Sequence, residues 1–172
     1  MLHPKLFFIP TKKQIQCIEG LFYKHFGTQM RDVWNLGLCT GMRVNELLRL
    51  RFTDLNIDTL ELTICEAKKK KISISHDALV IILEIRRQHP KDEFIFQSRR
   101  SRNVINIEPK PISSQAIYKA FKDVAGILNE KLSPRVMTQI GEINLLTADH
   151  SRDYINNPRQ ISELLKHYSS SK

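Results

Sequence analysis

The sequence predicts a mainly α fold carrying one small antiparallel β-sheet, and three observations support that reading. Apolar residues recur at three- and four-residue spacing along most of the chain, the period of a one-sided helix. Two-residue alternation is confined to residues 60–75. At 172 residues, with 41% hydrophobic and 26% charged side chains, the chain has the length and composition of one domain that buries a real core.

Each element follows from local signals. Thr11 and Gln14 make a capping box, and Ile15, Ile18, Phe22 and Phe26 follow at helical spacing, so a first helix covers 11–26 and Gly27 ends it. A second helix covers 29–39, with Val33, Trp34 and Leu36 to Leu38 for the core. Thr40-Gly41 breaks the chain, and 43–50 is helical again, burying Val44, Leu47 and Leu50. A short strand at 54–57 precedes a hairpin. In the hairpin Leu60, Leu62 and Ile64, then Ile72 and Ile74, alternate with polar residues around a basic tip at 67–70. Asp77 is the expected cap of a helix through Leu79, Ile82, Leu83 and Ile85 that must stop before Pro90. Phe94-Ile95-Phe96 reads as a short strand or buried extended piece, and 97–103 as a polar loop. Ser113 caps a helix with Ile117, Phe121, Val124 and Leu128 on one face, where Tyr118 and Phe121 read as packing. Ser133-Pro134 starts another helix, and Asn157-Pro158 a last one with Ile161, Leu164, Leu165 and Tyr168 apolar.

Charge and composition narrow the function. Twenty-seven Lys+Arg against 18 Asp+Glu give a formal net charge of +9, a balance that phosphate-rich partners reward. The longest apolar run, 78–83, is far short of the roughly 20 residues a bilayer span needs, so no membrane partner is expected. The N-terminal residues lack the layout of a secretory signal. Cys17, Cys39 and Cys65 lack disulfide or zinc spacing and read as buried or semi-buried thiols of a reducing compartment. His3, His25, His76, His89 and His150 are scattered without metal-ligand spacing, so neither metal nor cofactor is expected.

The informative stretch is 39–55, Cys-Thr-Gly-Met-Arg-Val-Asn-Glu-Leu-Leu-Arg-Leu-Arg-Phe-Thr-Asp-Leu. Gly41 permits a tight turn, and Arg43 at the start of the next helix can present a bidentate guanidinium to a phosphate. Glu46, one turn further on, can brace neighbouring groups. The stretch resembles the first signature box of the tyrosine recombinases, the family of phage integrases and Xer-type recombinases. That box reads Thr-Gly-Leu/Met-Arg-x-Ser/Asn-Glu-Leu/Ile-x-x-Leu-x-Trp-x-Asp-Ile/Leu, and the one departure here is Phe52 for Trp. The resemblance implies a catalytic-domain-like fold over 1–172 with no separate N-terminal core-binding domain. It also implies duplex DNA as partner, other recombinase protomers beside it, no small-molecule substrate, and a cytoplasmic, DNA-associated location.

It further implies site residues. In the family a lysine at a hairpin tip reaches the minor groove and protonates the leaving 5′-hydroxyl; Lys68, 25 positions after Arg43, takes that place, with Lys69, Lys70 and Lys71 adding charge. The second box, Ser-x-His-x-x-Arg, aligns with 133–138, where Arg135 holds the histidine position and Thr138 that of the second arginine. The third, Ile-x-x-Leu-Leu-Gly-His, aligns with 161–167, with Lys166 for glycine and His167 as the imidazole. Tyr154 and Tyr168 do not stand where the nucleophilic tyrosine belongs and read as structural, which leaves the nucleophile unassigned. Arg43, Lys68, Lys69, Lys70, Lys71, Arg99, Arg100, Arg102 and Arg135 are the expected DNA-binding set. Three readings follow. One is a family member that binds DNA without self-sufficient strand cleavage. The second is an active integrase lacking its tyrosine here or given one in trans. The third is a DNA-binding regulator or accessory factor reusing the fold.

Overall fold

A computed structural model describes residues 8–65, 69–99 and 108–146. Thr11 Oγ1 accepts from the Gln14 N–H at 3.3 Å while Gln14 Oε1 accepts from the Thr11 N–H at 2.8 Å. This reciprocal cap opens α1 (Lys12–Phe26). Gly27, at φ 82°, turns directly into α2 (Thr28–Thr40), which ends at Gly41 in the left-handed conformation. A short helix α3 (Val44–Arg49) and a 3-10 turn (Phe52–Asp54) lead to the sheet. Its strands are β1 (Leu55–Asn56), β2 (Glu61–Cys65) and β3 (Lys69–Ser73), antiparallel in the order β1-β2-β3, with Leu62 opposite Ile72 and Ile64 opposite Lys70. Helices α4 (His76–Gln88), α5 (Ser114–Leu128) and α6 (Pro134–Leu146) complete the described residues.

The core gathers around Trp34. Its ring lies 5.7 Å from Phe22 and 6.0 Å from Phe121, and those two rings are 4.8 Å apart, so one aromatic cluster ties α1, α2 and α5. Apolar faces of α3 and α4 and the inner side of the sheet, through Leu62 and Ile64, continue it. Helix α6 crosses α2 at a contact built from glycines. A Cβ on Gly141 would stand 2.6 Å from Gly41 N and Cα and 2.5 Å from Gly37 O, and one on Gly37 would collide with the Met137 side chain. The backbones meet there without intervening side chains.

The expected order of elements stands, with four corrections. Helix α4 is capped by Ser75, whose hydroxyl accepts from the Ala78 N–H at 3.2 Å; Asp77 lies inside its first turn. The hairpin tip is narrower than 67–70, because Lys69 and Lys70 pair with Cys65 and Ile64 in the ladder. Tyr118 is 56% exposed, so of the expected pair only Phe121 packs inside. Cys17 is exposed rather than buried, while Cys39 is half-buried as expected. Helical spacing fixes which residues share a stripe, but a residue at a stripe's margin is buried only if another element covers it. The helix expected after Pro158 lies outside the described residues, as do Arg100, Arg102, His3, His150, Tyr154, Tyr168 and His167.

Candidate nucleic-acid interface

Most of the 40–54 stretch is used to build one turn, while Arg43, Asn45 and Arg49 keep their side chains exposed. Thr40 is buried; its hydroxyl donates to the Leu36 carbonyl at 2.7 Å and accepts from the Met42 N–H at 3.4 Å. Gly41, at φ 63°, reverses the chain where a side chain would be strained and would press on Glu142. Val44, Leu47 and Leu50 are buried. Glu46 Oε2 accepts from the Arg43 N–H at 2.7 Å, so the arginine-to-glutamate spacing is that of an N-cap and its third helical residue. Asp54 does the same for the 3-10 turn, accepting from the Arg51 N–H at 2.8 Å. Phe52, where Trp is the family's usual residue, is buried beneath the Arg86 guanidinium, 4.7 Å from its ring centroid. Arg43 remains exposed, and its guanidinium forms no ion pair among the described residues.

Helix α6 brings the second-box segment against this turn. Thr138 Oγ1 lies 3.2 Å from the Met42 carbonyl and 3.3 Å from that of Pro134, and Asn144 Nδ2 donates to the Leu38 carbonyl at 3.3 Å. The position that the resemblance gives to a second arginine therefore adjoins Arg43, and a threonine fills it. Arg135 is exposed one helical turn before Thr138.

The other basic candidates divide by what holds them. Lys69, Lys70 and Lys71 are exposed along β3. Strand alternation puts Lys70 on the sheet face of Ile72, and Lys69 and Lys71 on the other, where Lys71 Nζ reaches Glu61 Oε2 at 3.4 Å. Arg99 is engaged by Asp92, its Nε and Nη2 donating to Oδ2 at 3.1 and 2.8 Å. Arg51 pairs with Glu93 at 3.0 Å and lies over the Phe94 ring at 4.3 Å. Lys68 lies outside the described residues.

A group that periodicity gave no reason to notice lies at the other end of α2. There Asp32, His89 and Arg99 line a shallow cleft with Thr28, Gln29 and Gln88. Burial raises the Asp32 carboxyl above its ordinary range against the pull of Arg31, whose Nε and Nη2 donate to Oδ1 at 3.0 and 2.9 Å. Burial, with the Arg99 charge beside it, lowers the His89 imidazole. Asp32 shares its helix face with Thr28, Gln29 and Asn35, so apolar spacing alone does not mark it.

No curated protein matches the chain at a significant level. Among solved structures, XerA recombinase is similar with a TM-score of 0.63 at 14% identity, over 99% of this chain and 59% of that one. The Tn1549 transposon integrase, solved in complex with circular intermediate DNA, gives 0.65 at 14% identity, over 99% and 60%. A lambda integrase dimer bound to a COC′ core site gives 0.60 at 16% identity, over 90% and 46%. The chain thus spans about 60% of the length of the first two structures, and at these identities the likeness is one of fold. The model of the phage integrase family matches residues 12–138, which include the Arg43 turn, the sheet and Thr138, and the chain belongs to that family, the tyrosine recombinases.

Proposed function

We propose that this chain binds duplex DNA through its phosphates and serves site-specific recombination or integration, with Arg43 as its principal anchor. The observation that carries this is the Arg43 turn. Its neighbours in sequence point inward or cap the helix, and the exposed guanidinium is left to meet a ligand. A planar guanidinium matches two non-bridging phosphate oxygens, and a fixed backbone beneath it lowers the entropy lost on contact. Lys68, Lys69, Lys70, Lys71 and Arg135 add charge; Arg99 adds less, since Asp92 already neutralises it. Arg100 and Arg102 belong to the same set by sequence. Strand cleavage needs a phenol attacking phosphorus and paired charge on the pentacoordinate transition state. Thr138 supplies no charge, so the favoured role is DNA binding without self-sufficient cleavage, other protomers being partners on the same DNA. A DNA-associated, cytoplasmic location follows from this role; among the described residues no helix is long and apolar enough to cross a membrane.

Fluorescence anisotropy with a labelled duplex at two salt concentrations tests the reading. Affinity is expected to fall steeply with salt, and Arg43→Ala to weaken binding about tenfold at low salt. Equal affinity at both concentrations, or an Arg43→Ala variant that binds as the parent does, would overturn it.

A further inference from the structure

We infer that Thr138 is a positioning residue for Arg43, a tether that takes the place of a second phosphate-directed cation; the inference rests on the DNA-binding reading above. The peptide unit joining Met42 to Arg43 is held at both of its polar atoms by side chains from different helices. Its carbonyl faces the Thr138 hydroxyl of α6 at 3.2 Å, and its N–H donates to Glu46 of α3 at 2.7 Å. A peptide is planar, so fixing both ends fixes the plane and with it the Cα from which the Arg43 side chain departs. Just before that peptide, Gly41 lies so close to Gly141 of α6 that no Cβ fits between them. Helix α6 therefore bears on the turn twice, once through backbone and once through a hydroxyl.

In the same geometry the Thr138 proton already has acceptors, so donating it to a phosphate would cost an existing contact. A hydroxyl carries one proton, and both oxygens within reach of Oγ1, those of Met42 and Pro134, are main-chain carbonyls. Its remaining lone pairs only accept, which a phosphate oxygen does not satisfy. Thr138 thus contributes little attraction of its own to DNA; its effect passes through Arg43.

A double-mutant cycle read by duplex anisotropy, with thermal unfolding measured alongside, tests this. Thr138→Val is expected to weaken binding about fivefold, the factor that one ordinary hydrogen bond represents, while Thr138→Ser stays within twofold of the parent. In an Arg43→Ala background Thr138→Val is expected to have no further effect, because the group it positions is gone. Exchange of the Arg43 amide hydrogen in the free protein is expected to quicken in Thr138→Val and not in Thr138→Ser. Should the Val variant fail to fold, Thr138→Ala removes the same hydroxyl and repeats the cycle. Equal weakening in both backgrounds would mark Thr138 as a general structural residue and overturn the inference, as would unchanged affinity in Thr138→Val. Unchanged affinity in Arg43→Ala alone would instead defeat the DNA-binding reading, and this inference with it.

Discussion

Arg43 and Asp32 stand near opposite ends of α2 and show how differently one charge is treated by its surroundings. Arg43 keeps its solvent and waits on a partner, whereas Asp32 is buried and has a single guanidinium against its carboxylate. Burial is the larger influence, so the folded-state carboxyl titrates above the ordinary value of 3.8. A carboxyl raised in this way favours the fold most below its unfolded value and loses that contribution as pH climbs through the folded one. At neutral pH the ionised Asp32 therefore weighs against the fold. Asp32→Asn is expected to gain thermal stability relative to the parent as pH is raised from about 3 to about 7. A stability difference that stays flat, or moves the other way, in unfolding scans at those two conditions would contradict this. Arg43 was legible in the sequence because its neighbours form a spaced pattern. Asp32 and the tether at Thr138 were not, since each depends on a segment distant in the chain: α4 closes over the first, and the turn between α2 and α3 receives the second.

At the scale of elements, the crossing of α2 and α6 governs the turn that carries Arg43. Replacing a helix-interior glycine by alanine ordinarily stabilises by up to about 1 kcal/mol through propensity. At Gly141 the sign is expected to reverse, because the new methyl would meet backbone atoms of Gly37 and Gly41 that cannot step aside. Gly141→Ala is expected to cost about 1–3 kcal/mol in urea unfolding, and Gly37→Ala less, because its obstacle is the flexible end of Met137. An equal or inverted order would mean the crossing is looser than described. Helices and strands themselves were readable from periodicity: α1 and α5 begin at the expected caps, α6 begins at the expected Pro134, and the sheet falls where alternation was found. Which of two neighbouring residues caps α4, and where the hairpin closes, were not readable. Ser75 and Asp77 carry the same kind of acceptor, and the lysine run looks alike in a turn and in an exposed strand.

For the molecule as a whole, the phage integrase fold is present while its reaction is not secured by the residues matched. With Thr138 at the position that the resemblance gives to a clamping arginine, the chain is expected to form no covalent tyrosyl adduct on a nicked suicide duplex. The measurement is a denaturing gel, on which a trapped 3′-phosphotyrosyl species migrates slowly. A slow band that vanishes on Tyr168→Phe or Tyr154→Phe would refute the expectation and name the nucleophile. The aromatic cluster at the core has a practical side as well. Trp34 is the chain's one tryptophan, wholly enclosed, with its Nε1 bonded to nothing among the described residues. Such an indole emits at the blue end of its range and shifts red when water reaches it. It packs between Phe22 and Phe121, about 9 Å of helix rise before Thr40 and so away from the Arg43 turn. Its emission should therefore follow unfolding and ignore binding, so that the molecule reports optically, without any attached dye, whether a variant that no longer holds DNA has lost its contact or its shape.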